Sequence, residues 1–327
     1  MITTAWIIGA AAGVILLIIV GLALFAAWTA RRVEKRLPPL GRFIEVDGAR
    51  LHYLDEGSGP PLILIHGLAG QVRVFTHSLL DRLKAEHRVI ILDRPGSGHS
   101  TRPAQASAAV TAQAGTIARF IEAIGVERPL VVGHSLGGAI ALALALNHPK
   151  QVSGLALLAP LTHPQDEVPP LLRGLAIDSP ALRWFTAWTS AIPLSIANRD
   201  FVLDTAFGPD PVVPDYGTRG GGLLNLRPKS FINASRDLVA ANEDLVDLHG
   251  RYHQLKVPVG VLFGTADRLL DVAKHGATMT AKVSELDLEL IEGAGHMILI
   301  SEPDRAAAFI KRMAQRVAAR AAQASPA

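Results

Sequence analysis

Residues 130–138, LVVGHSLGG, limit the possible folds more than any other stretch. An apolar run ends in Gly133-His134-Ser135-Leu136-Gly137, and an Ala- and Leu-rich helical pattern follows at once. A buried strand that turns directly into a helix holds the residue at the turn in a strained backbone conformation. Gly133 and Gly137 suit that turn because the chain must pack behind the serine without side chains in the way. The Ser135 hydroxyl is then left at the tip. The helix opening at Leu136 aims free N–H groups at any negative charge that forms beside it.

The rest of the chain alternates as such a turn requires. Strand-like runs occupy 42–46 and 51–55, a hairpin turning at Asp47-Gly48, and then 62–65, 89–92, 130–132, 155–158, 259–263 and 286–291. Helical patterns occupy 74–85, 111–124, 136–147, 272–283 and 304–320. The expected class is α/β, with a mainly parallel eight-stranded sheet covered by helices on both faces. Its two core parts run over 41–160 and 257–320. Segment 161–256 breaks the alternation: it is proline-rich, then carries Trp184-Phe185 and Trp188, then Gly220-Gly221-Gly222. It is expected to be a helical cap inserted over the strand tips, where ligands bind in open α/β sheets. Residues 321–327 are expected to be a flexible tail.

The N-terminal stretch has a different character. No charged side chain occurs in 5–30, and the run from Trp6 to Trp28 is long enough, at about 1.5 Å per residue, to cross a hydrocarbon core of about 30 Å. Indoles at both ends favour the membrane interface. A transmembrane anchor over 5–30 is therefore expected. The alternative is a cleaved signal peptide and a periplasmic or secreted domain, but Met1-Ile2-Thr3-Thr4 lacks the basic start of such a segment. Arg31, Arg32, Lys35 and Arg36 follow, then Pro38 and Pro39, so 31–40 reads as a basic, stiff linker. The positive-inside tendency places the catalytic domain on the cytoplasmic side.

Composition narrows the chemistry. At 327 residues and 49% hydrophobic content the chain can bury one large core with an insertion. Its formal net charge of +3, with no basic stripe interleaved with aromatics, argues against nucleic acid as a partner. There is no cysteine, which excludes disulfides, thiolate nucleophiles and cysteine-ligated metals.

A serine hydroxyl is a poor nucleophile until a base takes its proton and a third group orients that base. Two sites share the construction of buried strand, glycine and polar residue. Asp267 lies in Gly264-Thr265-Ala266-Asp267 and His296 in Gly293-Ala294-Gly295-His296. They are the expected orienting acid and general base. Asp271 is the rival acid, but it reads as the cap of the next helix. An oxyanion hole needs two backbone donors. Leu136 N–H supplies one, and Leu68 N–H, in His66-Gly67-Leu68-Ala69-Gly70, the other. His66 and His134 are expected to pack or hydrogen-bond, and Asp93 to brace its own turn. His249 and His253, at i and i+4, are too few for a metal site. The triple glycine lacks the strand and the Lys-Ser or Lys-Thr of a phosphate loop. Trp184 and Trp188 read as cap core, with an acyl pocket or lipid contact as alternatives.

Together these pieces resemble the α/β-hydrolase fold family over about residues 41–320. The matching elements are His66-Gly67, Asp93-Arg94-Pro95-Gly96-Ser97-Gly98-His99-Ser100, the elbow around Ser135, Asp267 and His296. The resemblance implies Ser135 as nucleophile, Asp267 and His296 as its partners, Leu68 and Leu136 as oxyanion donors, and the insertion as a lid or cap. Epoxide hydrolases and haloalkane dehalogenases look similar but carry aspartate at the elbow, where this chain has Ser135. The loop at His66 lacks the three glycines of the hormone-sensitive-lipase branch.

The expected function is a membrane-anchored serine hydrolase cleaving a carboxylic ester or related acyl bond through a Ser-His-Asp triad and an acyl-enzyme, with an apolar small-molecule substrate and no metal or organic cofactor. Carbon–carbon bond hydrolysis, or haloperoxidase- or perhydrolase-like chemistry on the same triad, is the rival within enzymes. A ligand-binding module with a dormant triad is the rival outside them.

Overall fold

A computed structural model gives the structure of the chain and describes residues 2–324. Eight strands form one sheet: β1 (Arg42–Val46), β2 (Ala49–Glu56), β3 (Pro61–Ile65), β4 (Arg88–Leu92), β5 (Leu130–His134), β6 (Gly154–Leu158), β7 (Val259–Gly264) and β8 (Asp287–Ile291). Their order is β1-β2-β4-β3-β5-β6-β7-β8. β2 pairs antiparallel with β1 and β4, and every later pairing is parallel.

β5 lies near the middle, with every residue buried. Since successive side chains point to opposite faces, both faces of the sheet are covered there. The helices that do this are α4 (Val110–Ala123) with α5 (Leu136–Asn147), and α12 (Pro303–Ala324) with α3 (Leu80–Leu83). α5 is apolar all round and buried at ten of its twelve positions, as a helix enclosed by sheet and neighbours must be.

Three expectations need correction. The helix expected over 74–85 is two short pieces, α2 (Arg73–Thr76) and α3. The one expected over 272–283 is α10 (Val272–His275) followed by a 3₁₀ turn, Ala277–Ala281. Glycine at position 276, between the two, interrupts the ladder. The expected tail is helical through Ala324, because α12 continues; residues 325–327 lie outside the described residues.

Between β6 and β7 the chain leaves the sheet and forms α6 (Pro180–Trp188), α7 (Ala191–Ala197), α8 (Arg199–Phe207) and α9 (Pro228–Leu248). α9 packs on α4, α5, α6 and α7, so it joins these helices to the core. α11 (Ile298–Ser301) follows β8 and leads into α12.

α1 (Ile2–Arg36) is one unbroken helix, long and apolar enough over Thr4–Arg36 to cross a membrane. The expected basic linker is therefore a linker only after Arg36: Arg31, Arg32, Lys35 and Arg36 form the last turns of the same helix. No glycine or proline occurs between Gly21 and Pro38, and basic residues favour a helix C-terminus.

Candidate active site

The elbow has the strain that its sequence predicts. Ser135 sits at φ 54°, ψ −120°, between the end of β5 and the start of α5. A non-glycine residue persists there only because the surroundings fix it. Leu161 N–H and Gly138 N–H both donate to its carbonyl, and its own N–H donates to Leu158. A Cβ at Gly137 would collide with the carbonyl oxygens of Ile65 and His66, so only glycine lets α5 begin this close to the end of β3.

Asp267 and His296 follow β7 and β8. A Cβ at Gly264 would strike the carbonyls of Ala294 and Gly295, so this glycine lets the two loops touch. His296 Nδ1–H donates to Asp267 Oδ2 at 2.6 Å, and Leu269 and Leu270 N–H donate to Oδ1 at 2.7 and 3.0 Å. Burial pushes the Asp267 carboxyl up, but His296 and these backbone donors outweigh it and hold it below its ordinary value. A carboxylate only accepts, so the proton on Nδ1 is fixed and Nε2 keeps its lone pair. Among the described residues Nε2 has no hydrogen-bond partner, nor has the Ser135 hydroxyl. The His296 ring lies 4.9 Å from that of His134, which immediately precedes Ser135. The structure thus gathers Ser135, His296 and Asp267 at the strand ends.

The backbone N–H groups of Leu68 and Leu136 donate to no other group among the described residues. The loop that carries Leu68 is held from behind. His66 Nδ1–H donates to Gly67 O, and its Nε2 accepts from Arg94 N–H. Burial, then the nearby Arg94, lowers the His66 pKa to about 3, so this ring stays neutral. Burial, then His296, likewise brings His134 to about 3, and its Nε2–H donates to His296 O. Both histidines are structural, as expected. Asp271 caps α10 by accepting from Ala273 N–H at 2.8 Å and makes no hydrogen bond to His296. His249 lies just beyond α9 and donates Nδ1–H to Leu245 O.

Sequence reading missed the brace behind the site. Arg94, fully buried, donates to the carbonyls of His66 and Gly67, to Gln113 and to Asp237. Asp237 belongs to α9 and also accepts from Arg102. A carboxylate on the inward stripe of Ala234, Ala241, Leu245 and Leu248 was the available signal, since a buried charge needs a partner.

A family model described as alpha/beta hydrolase fold matches residues 60–196. The sheet order, the elbow and this match agree. The chain has the α/β-hydrolase fold. The chain is similar to the dihydrolipoyllysine-residue acetyltransferase component of the acetoin cleaving system of Cupriavidus necator, 39% identical over 121 residues, 37% of this chain and 32% of the relative. It is also similar to a 2-hydroxymuconate semialdehyde hydrolase of a Pseudomonas species, 37% identical over 123 residues, 37% of this chain and 44% of the relative. The matches thus span less than half of these two relatives. A crystal structure of a membrane phospholipase A, described as a bacterial virulence factor, superposes with a TM-score of 0.67 at 26% identity, covering 97% of both chains.

Proposed function

We propose that this α/β hydrolase is a membrane-anchored serine hydrolase that cleaves an apolar carboxylic ester. The observation that carries this reading is a histidine whose Nδ1 is locked onto a buried aspartate and whose ring lies against the residue before Ser135, itself held in a strained backbone conformation. In the reaction Ser135 Oγ attacks the ester carbonyl and His296 Nε2 takes its proton. Asp267 holds the ring and steadies its positive charge. The oxyanion forms between Leu68 N–H and Leu136 N–H. His296 returns the proton to the leaving alcohol, and water releases the acyl group by the same steps.

The anchor reading is supported by the way α1 continues into the fold. Ala26, Thr29, Val33 and Leu37 are buried on one face of that stretch, and Val33 and Leu37 pack on Leu224. A cleaved signal peptide would strip part of that packed face. The basic last turns of α1 support a cytoplasmic side for the catalytic domain. The likeness to a membrane phospholipase supports a lipid-like ester as substrate.

Fluorophosphonate labelling in isolated membranes tests the triad. The wild type labels, Ser135→Ala does not, and Asp271→Ala labels normally; absence of label on folded wild-type protein would overturn the reading. Carbon–carbon bond hydrolysis is the second reading, favoured by the partial likeness to a 2-hydroxymuconate semialdehyde hydrolase. Turnover of a ring-cleavage diketone in preference to esters would establish it.

A further inference from the structure

The helices α6, α7 and α8 invert the usual distribution of side chains. They turn Arg183, Ala187, Ala191, Ile192 and Phe207 inward. Leu182, Trp184, Phe185, Leu194, Ile196 and Phe201 are left exposed, Trp184 by 59%. The expectation that Trp184 is cap core therefore fails: its ring lies against Trp188, 6.1 Å away, on the outer side. Scattered exposed apolar side chains are ordinary, but these are concentrated. Among the described residues from Gly41 onward, the other exposed large hydrophobics are Val202, next to Phe201 in α8, and the isolated Val246 and Leu290.

The anchor supplies the second observation. α1 is uncovered along its N-terminal part, but Ala26 is fully buried and Thr29 nearly so. Ala26 lies inside the apolar run that ends at Trp28, and Arg32 stacks over Trp28 at 4.6 Å, a pairing suited to the interface. The neighbours that pack on α1 are α6, α9 and the turn Gly222–Asn225. Arg227 and Lys229, at the start of α9, pair with Glu34, and His99 bonds to Leu37 O. The fold therefore reaches along α1 to the depth at which its side chains become those of a membrane span. A domain fixed to the anchor at that height places α6 against the bilayer surface.

We infer that the outer face of α6, α7 and α8 is seated in the headgroup and upper acyl region of the bilayer that α1 crosses, immersed by about 5–10 Å. This rests on the reading of α1 as a membrane anchor. Six large apolar side chains then lose their contact with water, and the helices beside the candidate active site meet lipid directly. An ester dissolved in that leaflet reaches the cap without first entering water.

Fluorescence of the full chain in lipid vesicles tests the inference. The Trp6→Phe, Trp28→Phe double variant leaves Trp184 and Trp188 as the only indoles. Vesicles of phosphatidylcholine brominated near the head of the acyl chain should quench them more than vesicles brominated near its end. In parallel, Trp184→Ser with Phe185→Ser should slow hydrolysis of a vesicle-borne long-chain ester several-fold and leave a soluble short-chain ester unaffected. Failure of the chain to float with vesicles would remove the anchor reading and the inference with it. Flotation without quenching would overturn the cap inference alone. Crosslinks joining Trp184 faces of two copies, with no quenching, would assign the face to a second copy of this chain and overturn it as well. The quenching needs no turnover, so these outcomes stand apart from the assignment of the triad.

Discussion

His296 donates Nδ1–H to Asp267 at 2.6 Å, and His52 donates Nδ1–H to Asp93 at 2.7 Å. Both pairs are buried, His52 within β2 and Asp93, Asp267 and His296 on loops that follow strands, and a search for histidine–aspartate pairs would rank them alike. They part at the other side of the ring. His52 Nε2 accepts from Gly41 N–H, and Asp93 also accepts from Val72 and His99 N–H, so the pair is filled with protein groups. His296 Nε2 has no such partner and stands beside the residue that precedes Ser135. What separates a brace from a reactive dyad is thus the unspent lone pair, not the carboxylate.

Substitutions should break the likeness between the pairs in opposite ways. His296→Ala should lower kcat for an ester by about 10⁴- to 10⁶-fold while the detergent-solubilised protein keeps its helical circular-dichroism spectrum. Equal activity in the variant would remove His296 from the mechanism. Asp267→Asn should cost about 10⁴-fold in kcat, because the amide permits the wrong tautomer on the ring. Asp93→Ala should behave inversely: kcat per folded molecule holds, while stability falls by about 3–5 kcal/mol, since His52 and two backbone N–H groups lose a buried acceptor.

Acid should act on the histidines that flank the reactive pair. His66 and His134 are held neutral by burial, at about 3 against an ordinary 6.5. The unfolded chain binds their protons first, so their contribution is complete above pH 6.5 and is lost as pH falls toward 3. The melting temperature should decline through that window; a flat profile would contradict their burial. The smallest effect belongs to Asp271→Ala, which should cost about 1 kcal/mol through the lost cap of α10 and leave kcat unaltered.

The site was legible because each of its residues carries a local mark. Ser135 and Asp267 follow a buried apolar run and a glycine, and His296 follows Gly295 after β8, a strand buried only at Ile291; Gly133, Gly264 and Gly295 sit where two backbones touch. Leu136 followed from its place after the serine, and Leu68 from the glycine-bearing loop His66-Gly67-Leu68 after the 62–65 run. The parts that escaped notice have no local mark. Arg94 finds Asp237 across 143 positions of sequence, and nothing near either residue announces the other. The outer face of α6 escaped for another reason: apolar residues at helical spacing read the same whether they meet a core or a bilayer. Glycine at position 276 was visible but underweighted, and there the expected helix broke.

Asp237 also determines how this protein can be recombined. Exchange of the segment between β6 and β7 for one without an acidic residue at the place of Asp237 would remove the carboxylate that Arg94 and Arg102 share. Two buried guanidinium groups would then face each other, a defect no surface redesign could relieve. The transferable unit is therefore larger than the insertion. A working chimera must carry α9 together with Arg94, Arg102 and Gln113, so that the cap travels with its own socket.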